Sequence, residues 1–245
     1  MTDGLRVTIW NEGRHEQIHE AVQKVYPDGM GNTIAKGLQT YGYKTQVFTF
    51  DDPEHGLTDE VLSQTDVLTW WGHMLHNDVQ DAVVDRVQKY VLNGMGLLVL
   101  HSGHESKIFK RLMGTTCDLK WREATDTERI WVSDPGHPIA DGIGDFIELP
   151  QEEMYGEPFY IPTPDHQIFI SWFEGGEVFR SGATWTRGRG KIFYFRPGHE
   201  TYPTYHNPQV IKVIANGIKW AAPNPGASIS VERHRKVPIE TLKAK

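Results

Sequence analysis

The sequence predicts an α/β domain with a mostly parallel sheet and antiparallel additions at its edge. Two observations carry this. Through the first half, short apolar segments alternate with helical ones, and a strand–helix–strand rhythm implies parallel strands joined by right-handed crossovers. In the second half the turns Glu174-Gly175-Gly176 and Arg187-Gly188-Arg189-Gly190 join strand-like segments directly, as antiparallel neighbours require.

Residues 5–10 read as the first strand, 33–41 as a helix ending near Gly42, and 45–50 and 66–71 as two further strands. Residues 78–92 carry Val79, Val83, Val87, Tyr90 and Val91 on one face at the helical period. Asn93-Gly94 stops that helix with a glycine suited to a left-handed cap. The apolar run 96–100 is a strand buried on both faces, and 105–113 is the next helix. Segments 130–132, 167–173, 178–185 and 191–195 read as strands, and 210–220 as a last helix. The folded unit is expected over 1–222. From 223 to 245 Pro, Gly, Ser and charge dominate, which reads as a tail reaching a neighbouring subunit in a homo-oligomer.

Composition narrows the function. The 245 residues carry a net charge of −7, against the clustered cations that nucleic acid or anionic lipid demands. The two basic groups, Lys107-Lys110-Arg111 and Arg233-Arg235-Lys236, are short. No run approaches the ~18 apolar residues of a spanning helix, and the single cysteine, Cys117, forms no internal disulfide. A cytoplasmic protein with no membrane or nucleic-acid partner is expected. Twelve histidines and eight tryptophans suit a polar ligand site.

In an open parallel sheet, ligands bind beyond the carboxyl ends of the strands. The first strand is followed by Asn11, Glu12, His15 and Glu16, and the third by His73 and His76. The 96–100 strand leads into His101, Ser102, His104 and Glu105, and the 191–195 strand into Arg196, His199 and Glu200. Four strand ends thus deliver histidine to one edge, the side chain that ligates metals and titrates near neutrality. His15-Glu16-Gln17-Ile18-His19 also matches the zinc-protease pattern. It opens directly after a strand, however, so His15 fits better as one part of a site shared among loops.

Val99-Leu100-His101-Ser102-Gly103-His104-Glu105 is a strand, a tight turn and a helix start. Class I glutamine amidotransferases place a nucleophilic cysteine on such an elbow, and aligning the glycines puts His101 at that position. Glutaminase chemistry is therefore not expected. Aromatic residues near loops, among them Trp10, Trp70, Trp71, Tyr155, Tyr202 and Tyr205, suit either a core or the C–H faces of a carbohydrate. Glu152-Glu153-Met154-Tyr155-Gly156-Glu157 reads as a solvated charge run near a turn, with a glutamate acid or base as the sharper alternative.

Trp10-Asn11-Glu12 with His15-Glu16, Trp71-Gly72-His73, Leu100-His101-Ser102-Gly103-His104 and Phe195-Arg196-Pro197-Gly198-His199-Glu200 together resemble the ThuA-like trehalose utilisation proteins, over about residues 5–222. The resemblance implies a three-layer, flavodoxin-like, class I glutamine amidotransferase-like fold lacking the cysteine nucleophile. It also implies a role in sugar catabolism on a small-molecule carbohydrate: a disaccharide such as trehalose, or its 3-keto form made by a partner sugar dehydrogenase. The family motifs carry over to Glu12, His15, Glu16, His73, His101, His104, His199 and Glu200.

The reading that follows is an enzyme in which His101, Glu16, His199 and Glu200 are catalytic. Glu12, Trp71, Tyr155, Arg196 and Tyr202 would bind substrate. His15, His73, His104 and His199 would ligate a divalent metal, zinc being the first candidate, to polarise a carbonyl or activate water. The alternative is a non-catalytic carbohydrate-binding or regulatory module on the same scaffold.

Overall fold

The computed structural model describes residues 4–223 together with Val237 and Glu240. The remainder of the expected tail, including Arg233, Arg235 and Lys236, lies outside the described residues. Nine strands form one sheet: β1 (Arg6–Asn11), β2 (Lys44–Phe48), β3 (Val67–Trp71), β4 (Gly96–Leu100), β5 (Lys120–Val132), β6 (Phe146–Gly156), β7 (His166–Phe173), β8 (Val178–Arg187) and β9 (Gly190–Phe195). Their order is β2-β1-β3-β4-β9-β8-β7-β5-β6. The first five are parallel, in the flavodoxin-like order that reverses beside β1. The pairings from β9 through β8, β7 and β5 to β6 are antiparallel.

The expectation of a mostly parallel sheet is thereby corrected. The sheet is mixed, and because β5 spans 13 residues and β6 spans 11 while the parallel strands span five or six, most of it is antiparallel. The shortfall lies in β5 and β6. The sequence Lys-Trp-Arg-Glu-Ala-Thr-Asp-Thr-Glu-Arg lacks an apolar face, and only 130–132 announces itself as strand. Of the Glu152–Glu157 run, expected near a turn, residues 152–156 are the buried end of β6, and Glu157 follows it, half-buried and paired with Arg180.

Helices cover both faces. α1 (Arg14–Ile18), α2 (Glu20–Val25) and α3 (Met30–Gln39) follow β1, α4 (Asp59–Ser63) precedes β3, α5 (Asp81–Leu92) joins β3 to β4, α6 (Lys107–Met113) follows β4, and α7 (Pro208–Ala221) follows β9. Strand alternation divides the core. Leu98 and Leu100 of β4 pack with Ile34 and Leu38 of α3 and Ile214 and Ile218 of α7. Leu97 and Val99 pack with Val83, Val87 and Val91 of α5 and Phe109 of α6. The Asn93-Gly94 stop is observed, with Gly94 at φ 124°. No helix among the described residues is long and apolar enough to cross a membrane.

Candidate functional site

The carboxyl ends of β1, β3, β4 and β9 open on a pocket of about 620 Å³ that includes His73, His104, His199 and Glu200 in its lining, within the roughly 300–1,000 Å³ of small-molecule sites. Its far wall is the β5–β6 ladder. Trp121 pairs with Tyr155 across it, and side chains two apart share a face, so Trp121 and Glu123 of β5 and Glu153 and Tyr155 of β6 all line the pocket.

One end concentrates imidazoles and carboxylates. His15 Nε2 lies 2.8 Å from His73 Nδ1, a distance at which the rings share a proton. His15 Nδ1 lies 3.2 Å from Glu200 Oε1, which is 3.9 Å from His199 Nε2. Thr201 Oγ1 holds His199 Nδ1 at 2.8 Å. His15 Nδ1, Glu200 Oε2 and Glu153 Oε2 are buried without a hydrogen-bond partner among the described residues. Burial pushes the Glu200 carboxyl up to about 7 and raises Glu153, and it holds His15 and His199 down at about 3. The pocket thus holds His199 as a neutral imidazole beside Glu200, whose carboxyl titrates near neutrality.

The expected elbow is present. β4 ends at Leu100, and His101 turns the chain at φ +48°, a left-handed conformation that costs an ordinary residue of order 1 kcal/mol or more. Several contacts hold it. Its Nδ1 donates to the Arg196 carbonyl at 2.9 Å, and Tyr194 Oη donates to its carbonyl at 3.1 Å. Its ring lies between Trp71 and Tyr155, nearly parallel to both. Because Nδ1 carries the hydrogen, Nε2 presents a lone pair to Glu153 Oε2 at 3.3 Å. His101 is fully buried. Its expected catalytic contact is therefore corrected: it does not line the pocket itself, but touches Glu153, Tyr155 and His199, which do. Cys117 is buried as well, its thiol pushed up to about 11, and supplies no nucleophile.

Other expected residues lie beneath the site. Trp71 is buried and donates from Nε1 to the Gly198 carbonyl at 3.1 Å. Arg196 is fully buried between Glu128 and Glu152. Neither is open to substrate, because each sits at a strand end with its side chain turned inward. Glu16 is not brought to the pocket either: its Oε1 accepts from Asn11 Nδ2 at 2.5 Å and from Met30 N at 3.1 Å, at the start of α3. The zinc-protease pattern loses its helix with it, because α1 stops at Ile18 and His19 is extended at φ −116°. Tyr202 donates from Oη to the Ala124 carbonyl at 2.7 Å and sets its ring beside His199. Tyr155 lies at the pocket edge, packed on His101.

Glu12, expected on substrate, instead accepts from the backbone N–H groups of His73, Met74 and Leu75 at 2.7, 3.0 and 2.9 Å. It fixes the loop that carries His73. Glu12→Gln leaves buried donors poorly matched and is expected to cost about 1–3 kcal/mol. Amide exchange should read this as faster exchange at residues 73–75 than at β4.

For a cation, the four expected histidines separate. His15 and His73 join Glu200 in one donor group, and His199 joins Glu123 and Glu153 in another, the donor atoms of each lying within 4.8 Å of one another. His104 belongs to neither; its Nδ1 donates to the Cys117 carbonyl at 2.8 Å. The residues missed in the sequence are Glu123 and Trp121, on a strand whose charge concealed it. Glu153 was visible only as an alternative reading of a charge run. His76 also lines the pocket, with its Nε2 unpartnered.

A family model described as trehalose utilisation, ThuA, matches residues 6–221. The chain belongs to the ThuA family. No curated protein matches it significantly in sequence. Among solved structures, a ThuA-like protein from Parabacteroides merdae is 14% identical with a TM-score of 0.63, over 88% of each chain. A cytoplasmic protein from Salmonella typhimurium is 14% identical with a TM-score of 0.60, over 90% of this chain and all of that one. A glutamine amidotransferase from Thermotoga maritima is 10% identical with a TM-score of 0.52, over 89% of this chain and 97% of that one. At these identities the likenesses establish the fold: the ThuA chain has the three-layer architecture of class I glutamine amidotransferases, with His101 on its elbow.

Proposed function

We propose that this ThuA-family protein is an enzyme of sugar catabolism acting on a disaccharide such as trehalose, and preferentially on its 3-keto derivative. The supporting observation is that Glu200 Oε2 and Glu153 Oε2 are buried without a hydrogen-bond partner on a pocket that His73, His104 and His199 also line, with His15 Nδ1, likewise unpartnered, beside Glu200. Unpaired buried polar atoms are costly and are retained where a ligand completes them.

A ketone at C3 acidifies the C2 hydrogen. In this reading Glu200, as carboxylate, takes that proton. The C2 electron pair forms the C1=C2 bond as the glycosidic C1–O bond breaks, and the departing oxygen takes the Glu153 proton. Water then adds across C1=C2, so that the sum is hydrolysis to a keto-monosaccharide and a free sugar. His199 stands between the two carboxyls, and His101 backs Glu153. A sugar dehydrogenase is the class of reaction that must supply such a substrate.

The donor group His15, His73 and Glu200 fits a divalent cation such as zinc, because two of its atoms are buried and unpartnered. Such an ion would polarise the ketone; Glu200 would then be a ligand, and proton removal would pass to Glu153. Metal analysis before and after chelation separates the two forms. Loss of turnover on chelation and recovery with zinc support the ion, whereas a metal-free, fully active protein removes it. The enzyme reading is tested by incubating 3-ketotrehalose with purified protein. Release of free glucose is expected; binding without release would identify a carbohydrate-binding module instead.

A further inference from the structure

Trp121 is the most exposed tryptophan among the described residues, at 64%, yet it lines the pocket. Single exposed apolar side chains are ordinary, but this one has particular neighbours. It sits on β5 opposite Tyr155, which fixes its ring on the pocket side. Leu119, Glu105 and Asp118 line the pocket with it. Its indole makes no hydrogen bond or ring contact among the described residues. The exposed carboxylate of Asp118, and the half-buried one of Glu105, whose Oε2 already accepts from Lys110 Nζ, offer acceptors beside an open aromatic face.

Position along the strand matters as much. Trp121 and Glu123 are two residues apart, about 7 Å at strand rise. Glu123 belongs to the donor group with Glu153 and His199. The aromatic face is therefore offset from the proton-moving groups by about the width of one sugar ring. The pocket, at about 620 Å³, is larger than a single ring needs.

We infer that Trp121, with Asp118 and Glu105, forms a subsite for the non-reacting ring of a disaccharide, the C–H face of that ring stacking on the indole and its hydroxyls donating to the carboxylates. This rests on the sugar reading above and narrows it: the substrate has two rings, and the second is held at β5. Monosaccharides then occupy only the His199–Glu200 end.

Calorimetric titration of full-length protein with trehalose and with methyl α-glucopyranoside tests the subsite. Trp121→Ala is expected to weaken trehalose binding roughly tenfold while changing methyl glucoside binding less than about twofold. Trp121→Phe, which keeps an aromatic face, should stay within about threefold of wild type on both. Unchanged trehalose affinity in Trp121→Ala overturns the subsite, as does an equal loss for both sugars, which would place the ring being processed on Trp121. Where wild-type protein binds 3-ketotrehalose but not trehalose, the same comparison is made with 3-ketotrehalose; binding of none of the three sugars removes the sugar reading and the subsite with it.

Discussion

Glu200→Gln is expected to lower kcat on a keto-disaccharide by about 10²–10⁴-fold, the usual loss when a positioned acid or base is removed. The amide keeps the size and the hydrogen-bonding capacity of the side chain but cannot accept the proton. Glu200 is only 5% exposed and faces His15 Nδ1 at 3.2 Å. Its burial raises its carboxyl, so the neutral amide removes a strained charge rather than a stabilising one, and the thermal midpoint should hold or rise. Steady-state kinetics beside a thermal melt separates the outcomes. A large loss of kcat with an unchanged melt supports the assignment; near-wild-type turnover refutes it.

The second large effect is on stability. Arg196 is fully buried, with Glu152 Oε2 at 3.2 Å and Glu128 also paired to its guanidinium. Its Nη1 donates to the Glu153 carbonyl at 2.6 Å, and its own carbonyl receives His101 Nδ1. Arg196→Ala leaves two buried carboxylates without their cation, which is expected to cost about 3–5 kcal/mol, or roughly 10 °C or more in Tm. Replacing the whole triad, as Arg196→Met with Glu128→Gln and Glu152→Gln, should recover much of that loss, since paired burial repays its desolvation poorly. If the triple variant is as unstable as Arg196→Ala alone, unpaired charge is not the cause.

The same triad sets a pH dependence. Burial pushes Glu128 up to about 7 from its ordinary 4.5, against the pull of Arg196. A raised carboxyl contributes stability that is fully present below about 4.5 and is lost as pH rises through about 7. Glu128→Gln removes that loss. Its stability relative to wild type should therefore improve from pH 5 to pH 8, as urea unfolding at several pH values would show; a constant or opposite difference contradicts the assignment.

Much of the parallel half is legible in the sequence. The 96–100 strand is continuous and apolar because helices cover both of its faces, and the four histidine-bearing strand ends do converge. The opposite wall is hidden because β5 carries Arg, Glu, Asp and Thr and stays largely exposed, with only Glu128 and Ile130 buried, so it has no apolar face to read. Site and support are also hard to separate in one dimension. Trp71, His101 and Arg196 stand at strand ends exactly where pocket residues would, but direction decides their role. His101 turns inward through a left-handed backbone that sequence spacing does not encode, whereas Trp121, on the concealed strand, turns outward. Glu12 and Glu16 carry the right chemistry but are held elsewhere, Glu12 by the backbone N–H groups of residues 73–75 and Glu16 by Asn11 Nδ2 and the Met30 N–H.

The most direct measurement is proton NMR of 3-ketotrehalose with the protein in heavy water, with Glu200→Gln as control. The account predicts deuterium at C2 of the keto ring together with release of free glucose, both suppressed in the variant. A keto-disaccharide that keeps its C2 hydrogen and its glycosidic bond in the presence of folded wild-type protein would contradict it.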